Sequence, residues 1–125
     1  MKKVINTQRA PAAIGPYSQA INFANLVFTS GQLPFIAATM TFPEGIEAQA
    51  RQSLENLRFV LEQGGASLDT VIKTTCFIDN MEDFAAFNSV YSEFFGDSVP
   101  ARSCIEAARL PKDALIEVEA IAYKA

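Results

Sequence analysis

Two helical stripes set among strand-like runs constrain this chain more than any other feature. From Ile46 to Gln63, apolar residues recur at Ala50, Leu54, Leu57 and Leu61, the stepping of one helical face, and Gly64 and Gly65 supply a stop. A second stripe, Phe84, Phe87, Tyr91 and Phe94, runs at spacings of three and four until Gly96. Its aromatic character fits packing against a sheet better than a cofactor box. Around the helices, residues 20–23 and 26–33 read as a hairpin turning at Ala24 and Asn25. Residues 70–78, rich in β-branched side chains and with Lys73 as their one charge, read as a strand covered on both faces. Asp79 and Asn80 end it, and either can cap the second helix. Residues 101–107 and 115–123 are two more strands joined by the turn at 111–113, and Val4 and Ile5 offer a short extra one.

The expected fold is α+β, a two-layer arrangement of one mixed sheet with two helices on one face. Its 125 residues make a single domain, 1–125. The helices cover one face only, and Leu26, Phe28, Val71, Ile72, Phe77, Val118 and Ile121 cannot all lie beneath them. Burial of the bare face against other copies of the chain, giving a homo-oligomer, follows as an expectation.

Charge and residue usage narrow the function. Ten basic against fourteen acidic residues give a net charge of −4, which opposes the nonspecific attraction on which nucleic-acid binding leans. Cys76 and Cys104 lie far apart, with neither CxxC spacing nor a histidine companion, so neither zinc nor a disulfide framework is indicated. The opening MKKVINTQRAPAA lacks the apolar centre of a secretion signal, and no segment approaches a membrane span. A soluble cytoplasmic protein without metal or cofactor is expected.

The chain has no histidine, so any proton transfer must use carboxylate, tyrosine, thiol, backbone or water. Against that background Arg102 stands out. After Pro100 the run ARSCIEA reads as a strand with Arg102, Cys104 and Glu106 on one face. A guanidinium fork matches a carboxylate, so Arg102 reads either as an anion clamp or as an edge charge paired with Glu106 or Glu119, in even balance. Tyr17, Ser30, Asn88 and Glu119 are further polar residues in apolar surroundings, each with an ordinary surface role as its alternative. Gly31 marks either a bulge or a place where a ligand nears the backbone.

The segments APAAIGPYSQA, VFTSGQLP, AQARQSLENLRFVL, VIKTTCFIDNMEDFAAFNSVYSEFF and PARSCIEAARLPKDALIEVEAIA, in this order, closely resemble the reactive-intermediate deaminase family known as RidA or YjgF. The resemblance implies a chorismate-mutase-like fold, homotrimers whose sheets pack into a central barrel, and three sites in the clefts between subunits. It implies hydrolysis of enamines and imines such as 2-aminoacrylate and 2-iminobutanoate to 2-keto acids and ammonia. It places Arg102 on the substrate carboxylate and Glu119 beside the attacking water, with a backbone carbonyl near Cys104. Tyr17, Ser30, Gly31, Asn88 and Cys104 then line the site. Such a reaction suits a chain without histidine, because an imine already reacts with water once the two are held together. A nucleophilic Cys104 lacks a base to activate it and reads as a wall residue. A keto-acid-binding or chaperone-like trimer and an endoribonuclease are the alternatives. One departure falls in PFIAATMTFPEG, where Ala37, Ala38 and Thr39 occupy a tip at which many members carry glycine.

Overall fold

A computed structural model describes residues 1–125. Its strands are β1 (Lys3–Ile5), β2 (Ala20–Phe23), β3 (Leu26–Thr29), β4 (Val71–Ile78), β5 (Ala101–Glu106) and β6 (Ile116–Tyr123), and its helices α1 (Ile46–Gln63) and α2 (Phe84–Phe95). They form one mixed sheet in the order β1-β2-β3-β6-β4-β5, in which only β4 and β5 run parallel. The expected α+β fold with two helices is therefore the observed one, and the extra strand at Val4 and Ile5 exists as β1, paired with β2. No helix is long and apolar enough to cross a membrane.

Alternation sorts the strands into two faces. Val27, Val71, Cys76, Ile78, Ile116, Val118, Ala120 and Ala122 face the helices and form one core with Ala50, Leu54, Leu57, Leu61, Phe87 and Tyr91. The stripe of α1 thus points inward, whereas in α2 Phe87 and Tyr91 are buried together with Val90 and Phe95, and Phe84 and Phe94 lie only partly buried at the edge of the core. On the other face the pairs Ile21–Phe28, Leu26–Tyr123 and Phe28–Ile121 lie side by side, continued by Phe77–Ile105 across β4 and β5. Phe23, Phe28, Ile105 and Tyr123 are 38–54% exposed there. Of the apolar residues expected to compete for the helices, Val71 and Val118 are beneath them, while Leu26, Phe28, Phe77 and Ile121 are not.

Three local differences from the sequence expectation have physical causes. First, β3 ends at Thr29 instead of reaching residue 33, because the chain peels away there and returns only through an isolated bridge between Gln32 and Val118. That departure leaves Ser30 and Gly31 half-buried beside a cavity. Second, Asn80 rather than Asp79 does the capping, and it caps a short 3-10 turn before α2, its side chain accepting from the Glu82 backbone N–H at 2.9 Å. Third, in the turn at residues 36–41 the left-handed position is Met40, with φ of 55°, and the Ile36 carbonyl accepts from the backbone N–H of Thr39 and Met40. The tip at Ala37, Ala38 and Thr39 keeps negative φ, so it needs no glycine.

Gly64, by contrast, is required by space. A Cβ there would lie 2.7 Å from the Ile5 Cδ1 and 3.2 Å from both methyls of Val27. The end of α1 can settle on β1 and β3 only without a side chain. Gly64→Ala is expected to cost about 1–3 kcal/mol through overpacking, read as a lower midpoint in denaturant unfolding at unchanged slope.

Candidate active site

Two polar clusters emerge, on opposite faces of the sheet. The first lies where the chain leaves β3. A cavity of about 410 Å³ opens between the segment carrying Ile14 and Tyr17, the Ser30–Gly31 departure, and the outward-facing carboxylates of β6, Glu117 and Glu119. Buried Gln19 anchors the N-terminal wall: its side-chain amide donates to the carbonyls of Thr7 and Pro11 and accepts from the Thr7 N–H. The Tyr17 hydroxyl accepts from the Ile14 N–H at 3.2 Å, and the Ser30 hydroxyl donates to the Ser18 carbonyl at 2.6 Å. Both hydroxyls are therefore fixed at the rim.

The second cluster lies where α2 crosses the edge strand β5, along a cavity of about 330 Å³. Arg102 donates from Nη1 to the Asn88 Oδ1 at 2.8 Å, and its guanidinium carbon stands 4.7 Å from the Tyr91 ring centre and 5.4 Å from that of Phe84. The Tyr91 hydroxyl is held in turn against the Thr74 hydroxyl at 2.7 Å. Arg102 forms no ion pair: Glu106 instead accepts from the Met81 N–H, and Glu119 lies across the sheet. The edge-pair alternative thus fails on geometry. The rings of Phe84, Phe87 and Tyr91 and a neutral amide hold the guanidinium, whose remaining N–H donors have no acidic partner.

Cys104 follows Arg102 on the same face and sits in register with Cys76 on β4. Burial pushes both thiols up, that of Cys76 to about 12, although Arg102 partly counters the shift at Cys104. Neither is a thiolate at neutral pH, so Cys104 has the character of a wall residue.

The chain's relatives bear on this arrangement. A family model described as endoribonuclease L-PSP matches residues 7–124. A RutC family protein of Pasteurella multocida is 54% identical, with all of both chains covered. A 2-iminobutanoate/2-iminopropanoate deaminase of Escherichia coli is 47% identical, with 99% of each covered. The crystal structure of E. coli TdcF with bound serine superposes with a TM-score of 0.95 at 47% identity, covering 98% of this chain and 99% of that one. The chain belongs to the RidA/YjgF family.

In this RidA/YjgF chain the residues singled out from sequence fall into two groups. Tyr17, Ser30, Gly31 and Glu119 share the first cavity, whereas Arg102, Asn88 and Cys104 belong to the second cluster. One RidA/YjgF protomer does not bring Arg102 and Glu119 together. Sequence reasoning missed Glu117, although the alternation in IEVEAIA puts it on the same face as Glu119. It also missed Asn56, a buried residue of α1 that donates to the carbonyls of Leu33 and Phe35 and so pins the wall beyond Gly31.

Proposed function

We propose that this protein is an enamine/imine deaminase, hydrolysing 2-aminoacrylate- and 2-iminobutanoate-type intermediates to 2-keto acids and ammonia in the cytoplasm. The observation that carries the reading is the Arg102 guanidinium, oriented by Asn88 and aromatic rings yet lacking a carboxylate partner. An α-imino acid supplies that carboxylate. Glu119 holds the attacking water, and Tyr17, Ser30, Gly31, Asn88 and Cys104 shape the pocket. The deaminase name of one relative and the serine bound to another, itself an α-amino carboxylate, support the substrate class. Placing water against an electrophile that already reacts with it needs no histidine.

The split of the two clusters supports a site shared between copies. In the proposed homotrimer the Arg102 cluster on edge strand β5 of one copy faces the Glu119 cavity of the next, and the bare apolar sheet faces meet in a central barrel. Two damaged chains should then rescue one another. Arg102→Ala retains the Glu119 half-site and Glu119→Gln retains the Arg102 half-site. Equimolar co-assembly by random assortment puts both intact halves in about a quarter of the sites. Keto-acid release from an imine generated in situ by a dehydratase is expected to return toward that fraction of wild type. A mixture as inactive as its components excludes a shared site.

The family description raises RNA cleavage as a second reading. The net charge of −4 and the absence of histidine oppose it. RNA cleavage that survives in Arg102→Ala marks a contaminant.

A further inference from the structure

The first cavity contains a carboxyl group to which the reading above gives no role. Glu117 lies two residues from Glu119 on β6, on the same face, so the two Cα atoms are about 7 Å apart along the strand. Neither carboxylate has a cation within ion-pair distance. Glu117 is seated tightly. Its side chain lies over the backbone of Gly31, so closely that a Cβ at that position would stand 2.5 Å from Oε2 and 2.7 Å from Cδ. The missing side chain of Gly31 is thus the seat of the Glu117 carboxyl, and the cavity lies in front of both.

We propose that Glu117 is the proton-donating acid of the site, acting opposite Glu119. The inference rests on the deaminase reading and deepens it. As water adds to the imine carbon, its proton passes to the Glu119 carboxylate while the Glu117 carboxyl protonates the imine nitrogen, giving a neutral carbinolamine. In the collapse that follows, Glu119 returns its proton to nitrogen and the C–N bond breaks with its electron pair leaving on ammonia. The hydroxyl O–H pair becomes the carbonyl π bond, and the hydroxyl proton restores Glu117. One imino acid and one water thus become one 2-keto acid and one ammonia, and both carboxyls end as they began.

The surroundings of Glu117 favour its neutral form more than water does. Burial against Gly31 and then the field of Glu119 raise its pKa. Of the other charged or titratable groups near it, Tyr17 lines the same cavity. Lys73 shares the sheet face but sits opposite Ile121, and Lys112 and the ion-paired Arg109 and Asp113 occupy the loop around Pro111. The Arg102 guanidinium of a neighbouring copy is neutralised by the substrate carboxylate that it holds. Two carboxyl groups in unlike settings divide acid and base roles in this way.

The test compares wild type, Glu117→Gln and Glu117→Asp in the imine-hydrolysis assay. Wild-type kcat is expected to fall as pH rises through the titration of Glu117 in the substrate-bound site. Glu117→Gln keeps the shape but has no proton to give, so kcat drops about 100-fold or more with KM little changed, and the alkaline limb disappears. Glu117→Asp, one methylene shorter, keeps the limb at reduced kcat. Stability supplies a readout separate from turnover. A glutamate with a raised folded pKa loses stability as pH rises from about 4.3, so Glu117→Gln is expected to unfold at a higher temperature than wild type near neutral pH and to lose that advantage in acid. Wild-type kcat and an unaltered alkaline limb in Glu117→Gln overturn the assignment while leaving the deaminase reading intact. Failure of wild-type protein to accelerate keto-acid release overturns both.

Discussion

Arg102→Ala is expected to cut kcat/KM for 2-imino acids by about 10- to 150-fold, the equivalent of the 1.5–3 kcal/mol that hydrogen bonds to a charged group contribute. Loss of the bidentate fork deprives the substrate of orientation as well as affinity, so kcat should fall along with the rise in KM. Arg102→Lys restores the charge but not the planar fork or the stacking on Tyr91, and should recover only part of the loss. An imine without a carboxylate provides the control. Its slow hydrolysis should be the same with either protein, because the guanidinium has nothing to grip. Wild-type kcat/KM in a folded Arg102→Ala protein would remove the foundation of the proposed function.

The largest effect on stability is expected at Asn56, in the interior of α1. Its side chain is fully buried, donating to the Leu33 carbonyl at 3.0 Å and the Phe35 carbonyl at 2.8 Å, while its own oxygen accepts from Gln52 at 3.0 Å. Asn56→Leu preserves bulk and removes both donors. Two buried carbonyls then lack partners at about 1–3 kcal/mol each, a total of about 2–6 kcal/mol. In a chain of this size that is a drop in Tm on the order of 10 °C, measured at one fixed protein concentration because assembly also shifts Tm. Asn56→Asp sharpens the test. At neutral pH it presents a buried carboxylate to two carbonyls and should be worse than leucine, and acid should restore part of the loss by supplying one donor. Equal stabilities for Asn56→Leu and wild type would show that water satisfies those carbonyls. Since the same bonds hold the wall that includes Leu33, Asn56→Leu should also weaken the site.

These two residues illustrate what could be read from the chain. Periodicity located both helices because their apolar faces pack on one sheet, and alternation placed Arg102 and Cys104 on one side of β5. The end of β3 was not legible. Nothing in SGQLP states that the chain peels away at Ser30, since the cause is the non-local bridge from Gln32 to Val118. Asn56 looks like a solvent-facing amide within a polar stretch of helix, and only the path of residues 33–35 over α1 gives it partners. The separation of Arg102 from Glu119 depends on strand order, which single-strand patterns leave open.

The contact between Gly31 and Glu117 ties two positions 86 residues apart (117 − 31) into one inherited unit. A mutation that adds a side chain at 31 leaves the fold a way out, since the far end of a glutamate can swing aside, but it spends the acid's position to do so. A lineage that lost the glycine would be released from keeping the glutamate, and one that lost the glutamate would be free to fill the glycine. The two changes should therefore travel together through descent, so that related sequences bearing a bulkier residue at the first position seldom retain an acid at the second.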